Sequence, residues 1–160
     1  GGRISDSTGT HAGQYDFGMT NLMTVFQYMI GNTDVSIRSL HNIRAVLKPD
    51  VARYPVPYDF DFAGVVDASY AQPNPMLQLD SVRTRLYLGP CQSPGVLSTY
   101  LGVLRAAREK LLGIYDTAPM LTPKYREAAK KYLDGFFRST ATPSGVKRAF
   151  VNGCGTRPYM

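Results

Sequence analysis

The chain has 160 residues, a formal charge of +6 and an apolar content of 44%. Its length suits one domain with a sizeable core, and its apolar content argues against disorder. The apolar runs are far shorter than the ~20 residues of a membrane helix, which argues against a membrane span. The basic residues are scattered and do not interleave with aromatic residues, so we expect a solvated basic surface and no nucleic-acid partner.

The first half of the chain predicts a loop, a helix and a hairpin. Residues 1–16 are rich in Gly, Ser and Thr and predict a flexible loop. Apolar residues recur at helical spacing from Phe17 to Ile30. Short strands are predicted at 43–48 and 53–57, and the turn signal Pro49-Asp50 lies between them. The two strands should therefore pair as a small hairpin.

The second half predicts mostly helices. A long loop is expected at 59–75, and a short helix at 79–87. Stronger helices are predicted from Ser93 to about Tyr115 and from Thr122 to about Arg138, because each begins with a capping hydroxyl followed by proline. Residues 146–151 predict a short helix or strand. We therefore expect a single domain over residues 1–160 with an α+β, mostly helical fold.

The two cysteines, Cys91 and Cys154, do not have the spacing of a metal site. They would form either a disulfide or two free thiols, and the sequence favours neither.

Three polar clusters stand at the ends of these predicted elements. Gly31-Asn32-Thr33-Asp34 follows the first helix, His41-Asn42 precedes the first strand, and Pro57-Tyr58-Asp59-Phe60-Asp61 follows the second strand. Antiparallel neighbours lie ~5 Å apart, so the hairpin should bring the second and third clusters together. Carboxylate and amide oxygens suit Mg²⁺, and a further carboxylate can accept a proton from an attacking hydroxyl. These groups are the parts that phosphoryl transfer requires.

The order of the clusters resembles the catalytic half of atypical kinases. It is similar to the spore-coat CotH-type kinases and the HipA-type toxin kinases, which have an Asp after a helix, an Asn soon after it, and an Asp in an aromatic-Asp stretch after two strands. The string VPYDFD at residues 56–61 is also similar to that of bacterial proteins with the same layout. The resemblance covers residues 17–70 and implies a kinase C-lobe. In it Asp34 would be the catalytic base, and Asn42 with Asp59 or Asp61 would hold Mg²⁺ for ATP.

The resemblance also implies a function. A kinase of this kind transfers phosphate from a nucleotide to a hydroxyl or protein acceptor, and it needs an N-terminal lobe that covers the phosphates. The sequence contains neither GxGxxG nor GxxxxGK[ST]. We therefore expect the C-terminal part of a longer protein, inactive without its missing lobe. The alternatives are a non-catalytic binding or structural module that retains the fold, and a metal-dependent hydrolase that uses the same carboxylates.

Each candidate residue also has a plainer interpretation. Asp34 can cap the turn that follows the helix, and His41 is more often structural than catalytic. Asp59 and Asp61 can be turn formers in an acidic loop. Asp67 and Tyr70 in the long loop could contact substrate, but we expect them to be solvated. Arg83 and Arg85 could bind phosphate, but we expect them to form ion pairs.

Overall fold

The computed structural model describes residues 2–5, 12–49, 53–152 and 154. Helices make up about 48% of the described residues, and the strands form one small antiparallel sheet. The predicted α+β class is therefore confirmed. Contacts group the chain into two compact units, the first formed by residues 1–91 and 153–160 and the second by Gln92–Asn152.

The first unit combines one helix with the sheet. Its regular elements are β1 (Arg3–Ser5), α1 (Phe17–Ile30), β2 (Ile43–Leu47) and β3 (Arg53–Pro57). The strand order is β1-β2-β3, with antiparallel pairing throughout. The predicted helix and hairpin are confirmed. The turn predicted at Pro49-Asp50 is described only at Pro49, because Asp50 lies outside the described residues.

Strand β1 corrects the prediction of a loop over residues 1–16. Its three residues pair with the far edge of β2, where Ile4 lies opposite Val46. A three-residue strand is too short to show an alternating pattern, and its partner is distant in sequence, so no local signal reveals it. A 3₁₀ turn at Ala12–Gln14 also falls within that predicted loop, whereas residues 6–11 lie outside the described residues.

Both ends of α1 are fixed by hydrogen bonds from nearby residues. The Asp16 carboxylate caps the first turn. At the other end Gly31 is left-handed (φ 70°), and its N–H donates to the carbonyl of Tyr28. The N–H of Asn32 donates to the carbonyl of Gln27 (2.9 Å), which completes a Schellman motif. This ending directs the chain from α1 straight into the first polar cluster.

The core of the first unit lies between α1 and the sheet, and α1 packs on β3. Ile37 and Ile43 are fully buried on either side of the turn that carries His41. The apolar cluster consists of Tyr15, Met23, Val35, Ile37, Ile43 and Ala45. Consequently the chain is held by buried side chains both before and after the second polar cluster.

The second unit is helical. It contains α2 (Pro94–Ala106), α3 (Arg108–Thr117), α4 (Pro123–Ser139) and α5 (Pro143–Val146), which continues as a π-helix over Lys147–Val151. The predicted helix at 122–138 is confirmed.

Two helix predictions need correction. The single helix predicted from Ser93 to about Tyr115 has the correct start but is two helices, which are separated by a single turn residue, Ala107 (φ −88°, ψ −2°). The short helix predicted at 79–87 is wrong, since those residues form turns and irregular structure. A one-turn 3₁₀ helix at Pro75–Leu77 precedes them instead.

The cysteines form a disulfide. Cys91 and Cys154 are bonded, with their Cα atoms 5.4 Å apart, and both belong to the first unit. The bond closes a loop of 63 residues in sequence that contains the whole second unit. Of the two possibilities that the sequence leaves open, the structure has the disulfide.

Candidate functional site

Asp34, His41 and Asn42 form one hydrogen-bonded group, which we call the Asp34 cluster. The side-chain nitrogen Nδ2 of Asn42 donates to the backbone oxygen of Asp34 (2.9 Å) and to its carboxylate Oδ2 (3.0 Å). His41 Nε2 lies 2.8 Å from the other carboxylate oxygen, Oδ1. The first two polar clusters of the sequence therefore meet in space, and each Asp34 carboxylate oxygen has its own partner.

The backbone around the cluster explains why these side chains meet. Asn32 Oδ1 accepts a hydrogen bond from the N–H of Asp34 (3.0 Å), which fixes the turn after α1. Ser36 and His41 then exchange two backbone hydrogen bonds of 3.0 Å each. This pair closes a tight turn that is anchored by the fully buried Ile37. The turn returns the chain to Asp34 just before β2 begins.

The third polar cluster lies at the same end of the hairpin. The N–H of Tyr58 donates to the carbonyl of Asn42 (3.0 Å), so the antiparallel pairing continues one step beyond the strands. Asn42 and Asp59 both have left-handed backbones, with φ of 52° and 57°. Such conformations cost about 1 kcal/mol in most residues, although Asn and Asp tolerate them better than others. Left-handed residues that are not glycine tend to gather at functional sites.

Asp59 and Asp61 form a second group of interacting carboxyls. A hydrogen bond between their side chains, followed by repulsion from the Asp61 charge, raises the pKa of Asp59 above its ordinary value. Repulsion from the negative charge of Asp34 also raises the pKa of Asp59, but by less, so Asp34 is close enough to influence this carboxyl. Tyr70 donates its hydroxyl proton to Asp61 (3.1 Å), and this bond raises the pKa of Tyr70. Negative charge is therefore concentrated at this end of the hairpin.

The oxygen atoms of Asn42, Asp59 and Asp61 are the candidate ligands for a divalent cation. Among the described residues, no group of three His, Cys, Asp or Glu side chains is arranged to hold a metal ion. Mg²⁺ does not require such a group, because it usually takes one or two carboxylates and completes its shell with water and phosphate oxygens. The Asn42 amide directs its nitrogen to Asp34, which leaves its oxygen as the atom that can ligate a cation. The chemistry of Asn42, Asp59 and Asp61 therefore fits Mg²⁺ together with a phosphate-bearing ligand.

A polar cleft of about 200 Å³ opens beside the Asp34 cluster. The side chains of His41 and Asp34 are 55% and 36% exposed, so both remain accessible from it. The lining residues are Thr33, Asp34, Val35, Ser36, Ser39, His41, Asn74, Leu77 and Leu88.

No protein-family model, curated protein or solved structure matches this chain. The kinase resemblance therefore depends on the three polar clusters themselves. Within the parts of the chain that the structure describes, no helix is long and apolar enough to cross a membrane.

Several contacts of the site were not foreseen from the sequence. The hydrogen bond of His41 agrees with the structural role that the sequence favours, but the sequence does not identify its partner, which is the candidate base Asp34. Tyr70 was expected to be solvated but bonds Asp61. Asn74, which lines the cleft, had only the Asn-Pro signal of a turn. Arg83 forms the ion pair that the sequence favoured, with Asp67 at 2.9 Å.

Proposed function

We propose that this chain carries the catalytic half of a Mg²⁺-dependent phosphotransferase that moves a phosphoryl group from ATP to a hydroxyl acceptor. Asp34 is the proposed base, and Asn42 with Asp59 or Asp61 is the proposed metal-binding set. The observation that supports this most strongly is the Asn42 side chain, which bonds both the backbone and the carboxylate of Asp34. One residue thereby orients the proposed base and offers its own oxygen to the cation.

Asp34 has the properties that a proton acceptor needs. Its carboxylate is held from two sides by Asn42 and His41, so its direction is defined. It is still 36% exposed, and each oxygen has a second lone pair for an incoming hydroxyl. A positioned carboxylate of this kind lowers the barrier by accepting the proton as the new bond forms. His41, when its Nε2 carries the proton, donates to Oδ1 and holds the carboxylate in place.

The acidic pair at Asp59 and Asp61 suits a binding site for a cation. Two neighbouring carboxyls that share a hydrogen bond repel each other when both are ionised, and a divalent ion relieves that repulsion. Mg²⁺, when bound there, neutralises charge on the transferring phosphates. Binding would also displace the proton that Asp59 holds more tightly than usual.

A non-catalytic binding module is the second candidate, and one observation favours it. Both carboxylate oxygens of Asp34 already accept hydrogen bonds from within the chain, which is what a purely structural aspartate also does. A metal-dependent hydrolase would use the same carboxylates but would release free phosphate instead of modifying an acceptor.

Nucleotide binding with and without Mg²⁺ separates these proposals. We expect ATP to shift the NMR signals of residues 32–42 and 58–61 only when Mg²⁺ is present, and Asp59→Asn to weaken that binding. Asp67→Asn is the matched control, because Asp67 is also an exposed aspartate with a left-handed backbone (φ 53°) but pairs with Arg83.

Asp34→Asn should keep Mg²⁺-dependent binding, because it replaces the proposed base without changing its shape and leaves the proposed metal-binding residues intact. A folded chain that does not bind ATP, or binds it equally without Mg²⁺, would contradict the phosphotransferase proposal and favour the non-catalytic module.

A further inference from the structure

We propose that the polar cleft binds the hydroxyl acceptor, and that this acceptor is a polyhydroxylated small molecule without an anionic group, about the size of a sugar ring. The identification of this ligand as an acceptor rests on the proposed function. Its binding does not, since the argument uses only the lining of the cleft.

The position of the cleft is the first argument. Asp34 and His41 lie in its wall, so a hydroxyl group of a bound molecule comes next to the carboxylate that would take its proton. The turn between Ser36 and His41 forms another part of the wall, and it is fixed by two backbone hydrogen bonds and by buried Ile37. The cleft is therefore a preformed feature of the first unit.

The charge of the lining excludes one class of ligand. None of the described residues that line the cleft is Lys or Arg, and Asp34 is its only acidic side chain. A phosphate or carboxylate in the cleft would meet this negative charge without a cation to pair with, which is unfavourable at short range. The acceptor should therefore carry no anionic group.

The polar groups that remain suit hydroxyls. Asn74 Oδ1 already accepts a hydrogen bond from the N–H of Met76 (3.0 Å), which leaves the Asn74 NH₂ group to donate to a ligand. Ser36 Oγ accepts from the N–H of Ser39 (3.2 Å), so the Ser36 hydroxyl proton is also available. A molecule with several hydroxyls can accept from these donors and donate to Asp34 at the same time.

The apolar residues that line the cleft and the volume of the cleft also indicate what kind of molecule fits it. Leu77 and Val35 are 2% and 6% exposed and supply a buried apolar surface beside the polar groups. A sugar ring or a cyclic polyol presents the same combination, with C–H groups on its faces and hydroxyls at its edge. A volume of about 200 Å³ suits such a compact molecule better than an extended peptide, which would need a groove.

Binding can be tested on the full chain by NMR without nucleotide or Mg²⁺. The neutral probes are methyl glucoside and myo-inositol, and the anionic counterpart is glucose 6-phosphate. A neutral tripeptide with a central serine represents a protein acceptor. We expect saturable shifts at Ser39 and Asn74 with a neutral probe, and at least about tenfold weaker binding of glucose 6-phosphate, because one unpaired charge costs more than a typical hydrogen bond.

Paired variants locate the binding. Ser39→Gln places a longer side chain in the cleft and should weaken binding at least about tenfold, since it removes the space the ring occupies. Arg38→Gln is its control, because Arg38 is exposed on the same turn and does not line the cleft. Asn74→Ser keeps an oxygen that can cap Met76 but removes the NH₂ group, and about fivefold weaker binding is expected.

The proposal is overturned if neither neutral probe binds, if glucose 6-phosphate or the peptide binds more tightly, or if Ser39→Gln has no more effect than Arg38→Gln. Mg²⁺-dependent ATP binding is measured on the same samples. A neutral probe that binds to a chain that does not bind Mg²⁺–ATP would refute the phosphotransferase and keep the cleft assignment, whereas the reverse result would refute only the cleft.

Discussion

Replacement of Asn42 by Ala and by Gly separates two contributions of this residue to stability. Its side chain makes two hydrogen bonds to Asp34, and its backbone is left-handed at φ 52°. Alanine removes the hydrogen bonds and strains the backbone. Glycine removes the same bonds but adopts the left-handed conformation without strain.

The expected magnitudes follow from these contacts. A hydrogen bond contributes about 1 kcal/mol net to the free energy of unfolding. Because the Asp34 carboxylate is partly exposed, we use this ordinary value for both bonds, and their loss therefore costs about 2 kcal/mol. The left-handed conformation adds about 1 kcal/mol for alanine, whereas asparagine and glycine tolerate it. We therefore expect the free energy of unfolding to fall by about 3 kcal/mol in Asn42→Ala and by about 2 kcal/mol in Asn42→Gly.

Urea denaturation followed by circular dichroism measures both values, and unchanged m-values would show that the unfolded state is comparable. Met120→Gly is a useful control, because Met120 is left-handed (φ 66°) and almost fully exposed, so the change relieves backbone strain without removing a packed side chain. If Asn42→Gly were less stable than Asn42→Ala, the reasoning from backbone strain would be refuted. If both variants were as stable as the parent chain, the hydrogen bonds to Asp34 would contribute nothing.

Three further predictions concern pH, packing and the disulfide. The pKa of Asp59 in the folded state lies above its ordinary value of 3.8, so the stability that this group contributes is present below pH 3.8 and is lost as the pH rises through the raised pKa. In NMR titrations Asp61→Asn should lower the pKa of Asp59. An unchanged titration midpoint would refute Asp61 as the cause of the shift. Gly145→Ala should destabilise the helical unit by about 1–3 kcal/mol, because a Cβ at this position would meet the backbone carbonyl of Ser139. Gly113→Ala should instead stabilise its helix by about 1 kcal/mol, because a Cβ there would lie in open space. Equal effects of the two variants in thermal melts would contradict this prediction. Reduction of the disulfide should lower the free energy of unfolding by about 4 kcal/mol in the loop-entropy account, and urea curves with and without reductant that coincide would refute it.

The sequence predicts the fold best where the signals are local. Helix α1 was predicted with its observed ends, because apolar spacing and a glycine C-cap act over a few residues. Strand β1 was missed because its pairing partner is distant in the chain. The break at Ala107 was missed because the apolar spacing continues through it into α3.

The site was predictable in part for the same reason. The hairpin argument brings Asn42 next to the residues that follow β3, and the bond between Tyr58 and Asn42 has that geometry. The contact of His41 with Asp34 depends on the turn closed at Ser36, which residue types alone do not specify. Roles as base or metal ligand stay predictions, because they depend on molecules that bind the site.

The disulfide also makes the second unit separable by design. The chain leaves the first unit after Cys91 and returns to it one residue before Cys154, and the Cα atoms of the two cysteines are only 5.4 Å apart. Two extended residues span more than this distance. A short glycine linker could therefore replace the whole of Gln92–Asn152 and still connect the two ends. The resulting shorter chain would contain every residue of the Asp34 cluster and of the polar cleft, so it would test directly whether the site forms without the helical unit.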